Sequence, residues 1–228
     1  MAAEILKLYY FADPMCSWCY GFQPVIDQIR AEYGASYDIR LVMGGLRPGK
    51  LAEAMTPARA RIIRHHWRDV AKMTLQPFDE SFFERENFVY DTEPAAKAVI
   101  VMERLAPQHA YAYYHEIQQA FYARNHDITS PNVLAALAAP YGVTAENFLQ
   151  ALSSEEAHKE TWGQFTFTAG LGIRGFPALV LEDKGQFLLV TRGWQPFEQI
   201  KETIGRLDTA FGHSATDGNS CNVQGSDC

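Results

Sequence analysis

Apolar and aromatic positions crowd the start of the chain. Residues 4–12, Glu-Ile-Leu-Lys-Leu-Tyr-Tyr-Phe-Ala, are polar only at Glu4 and Lys7. So short and dense a run predicts a buried strand, with Pro14 as its stop. From Cys16 to about Tyr33 the spacing of Val25, Ile26 and Ile29 predicts a helix that ends at Gly34. Residues 39–43, Ile-Arg-Leu-Val-Met, predict a second strand closed by Gly44-Gly45. Strand, helix, strand implies a parallel pair with a crossover.

From residue 51 to about residue 170 the pattern turns helical. Thr92-Glu-Pro opens a helix through Ala95, Val99 and Met102. Pro107 starts another, with Tyr111, Tyr114, Ile117 and Phe121 in register. Ser130-Pro131 places a proline in a first turn, with Tyr141-Gly142 as the stop, and Ser154-Glu-Glu opens a helix towards Gly170. Strands then return: residues 178–182 and 186–191 flank Asp183-Lys-Gly, a hairpin turn signal. An amphipathic helix runs from about Pro196 to Phe211. The order predicts an α/β fold with one sheet and an all-helical insertion. Residues 1–50 and 154–211 are the two halves of the sheet domain, residues 51–153 the inserted helical domain. Residues 212–228, rich in Gly, Ser, Asn and Asp and without an aromatic residue, predict a loosely held tail that carries Cys221 and Cys228.

Composition narrows the function classes. The 228 residues are 47% hydrophobic and 21% charged, an ordinary globular balance. A net charge of −7 argues against general nucleic-acid binding, which needs a positive face. No apolar run approaches the roughly 20 residues of a membrane span. Glu4 stands where a signal peptide has a basic region, and Lys7 interrupts the apolar run, so the protein is expected in the cytoplasm. In that compartment a pair such as Cys16-Ser-Trp-Cys19 is more often redox or metal chemistry than a structural bridge.

The pair falls where a strand gives way to a helix. Unpaired backbone N–H groups and the helix dipole there favour a thiolate at Cys16. Cys19, one turn on, is placed to attack a mixed disulfide formed on Cys16. Two cysteines supply only half of a tetrahedral zinc site. The second pair, Cys221 and Cys228, has a six-residue spacer in the polar tail, unlike common zinc clips, so no metal is expected. That second pair is a candidate accessory redox couple, since a tethered arm raises local concentration.

The segment Asp13-Pro-Met-Cys-Ser-Trp-Cys-Tyr-Gly-Phe22, together with Met43-Gly-Gly-Leu-Arg-Pro48 and Gly175-Phe-Pro177, resembles the DsbA-type branch of the thioredoxin superfamily. Within that branch it is most similar to signal-less FrnE-like proteins. The resemblance covers about residues 4–211. It implies a thioredoxin-like fold interrupted by a helical domain, with Cys16 as nucleophile and Cys19 as resolving thiol. It also implies a cis-proline at Pro177 facing the cysteines. Trp18, Phe176 and Pro177 become the expected substrate contacts, because a cis X–Pro bond exposes the preceding backbone for strand-like pairing. Pro24 falls where the family often has a helix-kinking proline. One position departs: six residues before the nucleophile, where the superfamily often buries a carboxylate, stands Tyr10. Asp13 is the nearest acid and is expected to cap the helix.

The expected activity is thiol–disulfide exchange on protein or peptide disulfides, with glutathione a candidate electron donor and no cofactor beyond the redox-active cysteines. A reducing compartment favours reduction or isomerisation over oxidation. A kappa-class glutathione transferase or isomerase on the same fold is the alternative, and a binding module whose groove matters more than its thiols is a third. Other constellations read as structure. His65 and His66, adjacent on a helix, point about 100° apart and cannot readily share an ion; one is expected solvated and one packed. Arg61, Arg64 and Arg68 share a face that is either solvated or, with the helical domain folded over the cysteines, a source of positive charge there. Tyr111, Tyr113, Tyr114, Phe121 and Tyr122 are expected as core and rim of the helical domain rather than a binding stripe, with a peptide groove as the alternative for parts of the run.

Overall fold

Strand β1 (Leu6–Ala12) has two apolar faces, so it lies inside the sheet rather than at its edge. In the computed structural model, which describes residues 6–211, its neighbours are β2 (Tyr37–Met43), in parallel, and β5 (Ala178–Asp183), antiparallel. A fourth strand, β6 (Gln186–Arg192), completes the order β2-β1-β5-β6. Register is set by pairs such as Tyr10 with Leu41 and Leu179. The β5–β6 hairpin turns through Lys184 and Gly185, both at positive φ, which is the two-residue turn that matches strand twist.

Between β1 and β2 the chain makes α1 (Ser17–Gly21) and α2 (Gln23–Tyr33). The expected single helix is thus broken at Phe22. Pro24 has no N–H to donate back to Tyr20, so the first turn stops there and the second helix restarts from Phe22. The central block holds β3 (Glu53–Ala54), α3 (Pro57–Thr74), β4 (Val89–Tyr90), α4 (Glu93–Leu105), α5 (Ala110–Tyr122), α6 (Pro131–Ala138) and α7 (Ala145–Leu152). α8 (Glu155–Gly170) returns the chain to the sheet, and α9 (Phe197–Phe211) closes it. The block is not purely helical: β3 and β4 pair antiparallel, Glu53 with Tyr90 and Ala54 with Val89. The helix expected from Pro107 begins as a 3₁₀ turn, Pro107–His109, before α5.

Alternation along β1 sorts the layers. Tyr9 and Phe11 face Phe167 of α8, with ring centroids 5.6 and 5.7 Å away. Tyr10, on the other face, meets Phe22 and Tyr114. The block has its own aromatic centre around Trp67, which packs on Phe78, Phe82, Phe83, Phe121 and Tyr122. The residue that this stretch of α3 buries is therefore Trp67. Both neighbouring histidines are exposed, His65 pairing with Asp69 at 3.6 Å, which corrects the expectation that one would pack. Tyr113, Tyr114, Phe121 and Tyr122 are buried core, as expected.

Candidate active site

Ala12 ends β1 and its carbonyl accepts from Gly44 N at 2.7 Å, which ties the ends of β1 and β2 together. The chain then turns through Asp13, whose carbonyl accepts from Cys16 N at 3.1 Å, and Cys16 becomes the residue before α1. Tyr20 N bonds to Cys16 O at 3.0 Å, closing the first turn with both cysteines on it. Both are thiols, and Cys19 is wholly buried while Cys16 keeps a sliver of surface. The outer sulfur can be reached and the inner one cannot. Burial, and then the Cys16 sulfur beside it, push the Cys19 thiol well above the ordinary range.

Across from them the Phe176–Pro177 peptide is cis. Cys16 Sγ donates to Phe176 O at 3.5 Å, so the nucleophile candidate touches the backbone of the residue before the proline. Pro177 O accepts from Gly193 N at 2.7 Å, and Trp194 Nε1 donates to Gly21 O at 3.2 Å, so the loop after β6 pins both the proline and α1. Trp18 is half-buried against the core. The Gly-Gly after β2 now has a reason. The Phe176 ring lies on Gly44, where an added Cβ would stand 2.1 Å from Cζ; Gly45, at φ +73°, meets the Phe165 ring. A cavity of about 410 Å³ opens beside Phe176, lined by Leu46, Leu51, Trp162 and Phe165 among others. A larger one, about 670 Å³, lies under Arg30, Glu103 and Tyr111, and neither cysteine lines it.

Asp13 is fully buried and does not cap α1, contrary to expectation. Oδ1 accepts from Met15 N at 2.9 Å and Oδ2 from Leu46 N at 2.7 Å, so its carboxylate joins the loop before α1 to the loop after β2. Burial raises this carboxyl to about 6, against the opposing pull of the Leu46 and Met15 N–H groups, the Thr92 hydroxyl and Arg47. The helical block reaches the same loop: Tyr90 OH donates to Met15 O at 2.5 Å. Tyr10, at the position that departs from the superfamily's frequent carboxylate, shares a 3.3 Å hydroxyl contact with Tyr114 and is fully buried.

Several sequence candidates are not brought here. Arg68 pairs with Glu80 through two bonds of 2.7 and 2.6 Å, and Arg64 lies over the Phe83 ring with Glu80 at 3.7 Å. Arg61 is exposed. Cys221 and Cys228 lie outside the described residues. Conversely, Tyr90, Tyr114, Tyr122, Leu46 and Thr92 surround the dithiol or Asp13 without having been singled out as site residues from sequence. Tyr114 and Tyr122 showed only as members of an aromatic run, Thr92 as a helix opener and Leu46 as part of the Met43-Gly-Gly-Leu-Arg-Pro48 segment, and none of these signals marks proximity to sulfur. Among the described residues no cluster of His, Cys, Asp and Glu could hold a metal, and no helix is long and apolar enough to cross a membrane.

Comparison with known proteins agrees with this geometry. The family model of the DSBA-like thioredoxin domain matches residues 7–205. A candidate protein disulfide isomerase from Nitrosomonas europaea is 36% identical, with a TM-score of 0.82 over 93% of this chain and 100% of that one. The cytosolic disulfide reductase DsbM from Pseudomonas aeruginosa is 28% identical, with a TM-score of 0.72 over 90% of this chain and 100% of DsbM; that protein has also been solved with glutathione. Curated relatives include the ClpXP adapter protein SpxH of Halalkalibacterium halodurans, 24% identical over 68% of this chain, and of Bacillus subtilis, 22% identical over 86%. The chain spans 51% and 66% of those two proteins.

Proposed function

The chain belongs to the DSBA-like thioredoxin domain family, and from that premise we propose that it is a cytoplasmic disulfide reductase working through Cys16 and Cys19. The observation that carries the reading is the 3.5 Å contact between Cys16 Sγ and Phe176 O, with the second thiol buried one turn behind. An extended peptide pairing with the Phe176 backbone brings its disulfide over the outer sulfur. Cys16 thiolate attacks one substrate sulfur and expels the other as a thiolate, leaving a mixed disulfide. Cys19 then attacks Cys16 Sγ, the second substrate sulfur leaves, and the substrate has gained two electrons that the dithiol has lost. Two thiols of glutathione class restore the dithiol and leave as a disulfide. The likeness to DsbM supports this direction and this donor. Trp18, Phe176 and Pro177 are the proposed substrate contacts, and the apolar cavity beside Phe176 suits a side chain flanking the substrate cysteine.

The test is reduction of a protein disulfide by glutathione or dithiothreitol. Cys16→Ser abolishes turnover, and Cys19→Ser accumulates a mixed disulfide on Cys16. Full turnover by Cys16→Ser sinks the reading. A second reading, an adapter that grips a protein partner, has the SpxH relatives in its favour. It requires partner capture to survive in a Cys16→Ser, Cys19→Ser double variant, whereas the reductase reading requires capture to vanish with the thiols.

A further inference from the structure

We infer that the outer edge of β2, whose flanking cavities neither cysteine lines, docks an extended segment of another protein that carries an acidic residue. In the parallel pair of β1 and β2, successive residues of β2 turn their backbone groups alternately towards β1 and away from it. Gly44 N donates to Ala12 O, which sets the even-numbered residues of β2 towards β1 and the odd-numbered ones outwards. At Met43 the outward groups are covered by α8: Gln164 Oε1 accepts from its N–H at 2.6 Å, and Thr168 Oγ1 donates to its carbonyl at 3.4 Å. Ile39 and Leu41 have no such cover, and among the described residues their outward N–H and C=O groups have no partner. Those groups recur at every second residue, the spacing that another extended backbone matches.

Space is left for that backbone. The cavity of about 670 Å³ is lined by Tyr9 and Phe167 on one face of the sheet and by Tyr10 and Tyr111 on the other, so it opens at the edge itself. A second cavity, about 540 Å³, continues it past Tyr37 and Asp38, and Arg30 and Ile39 line both. The trough follows β2 from Tyr37 to Val42, a run of about 17 Å. Gly163 of α8 also lines it, and a Cβ there would meet no atom of another element within 4 Å. Glycine inside a helix weakens it relative to alanine, and here the bare backbone widens the trough.

Free edges are ordinarily guarded by proline, bulges or unpaired charge. β2 has no proline, glycine or register break, and its two charged side chains, Asp38 and Arg40, pair with each other at 2.6 Å. The opposite edge strand, β6, has a register break against β5. Charge then narrows the occupant. Arg104 has Glu160 at 3.9 Å, and Glu103 accepts from Gln164 Nε2 at 3.5 Å. Arg30, common to both cavities, lies over the Tyr111 ring at 3.6 Å, and among the described residues no carboxylate pairs with it. A carboxylate on the incoming segment supplies that partner.

The experiment adds the peptide acetyl-Val-Glu-Val-Glu-Val-Glu-amide, or its counterpart with lysine for glutamate, to the nitrogen-15-labelled full chain. The glutamate peptide slows amide exchange at Ile39 and Leu41 by about 10-fold or more, while Asp38, Arg40 and Val42, already bonded to β1, keep their rates. The lysine peptide binds about 10-fold more weakly or worse, and Arg30→Glu reverses that preference. Gly163→Leu fills the trough and loses the peptide, while its amide spectrum stays folded and its reaction with Ellman's disulfide is unchanged. Slow exchange at Ile39 and Leu41 before any peptide is added overturns the inference, since the edge is then covered by the chain itself or by a second copy. So do absence of binding at millimolar peptide, protection confined to other amides, equal affinity for the two peptides, or undiminished binding by Gly163→Leu. Should Arg30→Glu fail to fold, the site of protection and the peptide preference of the wild type decide.

Discussion

The ring of Phe176 rests on the bare α-carbon of Gly44, so close that a methyl group there would stand 2.1 Å from Cζ. Phe176 also offers the carbonyl that Cys16 Sγ touches. The glycine therefore sets how near the proline loop comes to the dithiol. Gly44→Ala forces the ring, and with it the Phe176 carbonyl, away from Cys16. Overpacking of this kind costs about 1–3 kcal/mol of stability. Misplacement of the substrate-pairing backbone by about 1 Å lowers kcat/KM for a protein disulfide by about 10²-fold. Reaction of Cys16 with a small disulfide, which needs no backbone pairing, is retained. Phe176→Ala in the same chain makes room for the new methyl and restores stability. Wild-type turnover by Gly44→Ala would contradict the argument.

Tyr90 acts from the helical block on the same loop. Its hydroxyl donates to Met15 O, one residue before the nucleophile, at a buried site where water cannot replace it. Tyr90→Phe leaves that carbonyl without this donor, at a cost of about 1–3 kcal/mol. The loss is local before it is global, because Met15 belongs to the turn that the Cys16 N to Asp13 O bond closes. Amide hydrogen exchange at Cys16 is expected to quicken more than exchange in the middle of β1. Equal protection at Cys16 in both proteins would show that the hydroxyl does not hold the turn.

Much of this was legible in the sequence because it is local. The runs at residues 4–12, 39–43 and 178–191 carry the strand pattern, and Asp183-Lys-Gly carries its own turn. The Cys-Ser-Trp-Cys spacing and the late Gly-Phe-Pro name the dithiol and the proline. What sequence hides is which distant group meets a local one. Asp13 looked like a helix cap because it precedes a helix; its second partner is Leu46 N, 33 residues away. Tyr90 sits in a two-residue strand, too short to show a period. Arg64 and Arg68 looked like a free basic face until Glu80, 12 residues beyond Arg68, closed on them. Phe22 breaks the helix after the cysteines where apolar spacing runs on unbroken, since spacing records faces and not hydrogen bonds.

Glu103 gives the fold a pH dependence that can be isolated. It lies largely buried on α4, 3.5 Å from Gln164 Nε2, and Gln164 Oε1 in turn accepts from Met43 N at 2.6 Å, at the end of β2. Burial, with Glu160 nearby, raises its carboxyl to about 7, above the unfolded value near 4.5. A raised carboxyl binds its proton more tightly in the folded state. Below pH 4.5 it therefore costs nothing, and folding stability falls as pH climbs from 4.5 through 7. The fall amounts to no more than about 3 kcal/mol. His115 runs the other way. Burial lowers its imidazole to about 4, so stability is lost as pH drops from 6.5 towards 4. In the wild type the two slopes offset each other between pH 4.5 and 6.5. Glu103→Gln keeps the bond to Gln164 and removes only the carboxyl titration. Relative to wild type, its unfolding free energy in urea is expected to rise from pH 4.5 to about pH 7 and to level off above that, leaving the acid-side loss due to His115 exposed. A stability difference between the two proteins that stays constant across this range would show that Glu103 titrates as an ordinary surface carboxylate.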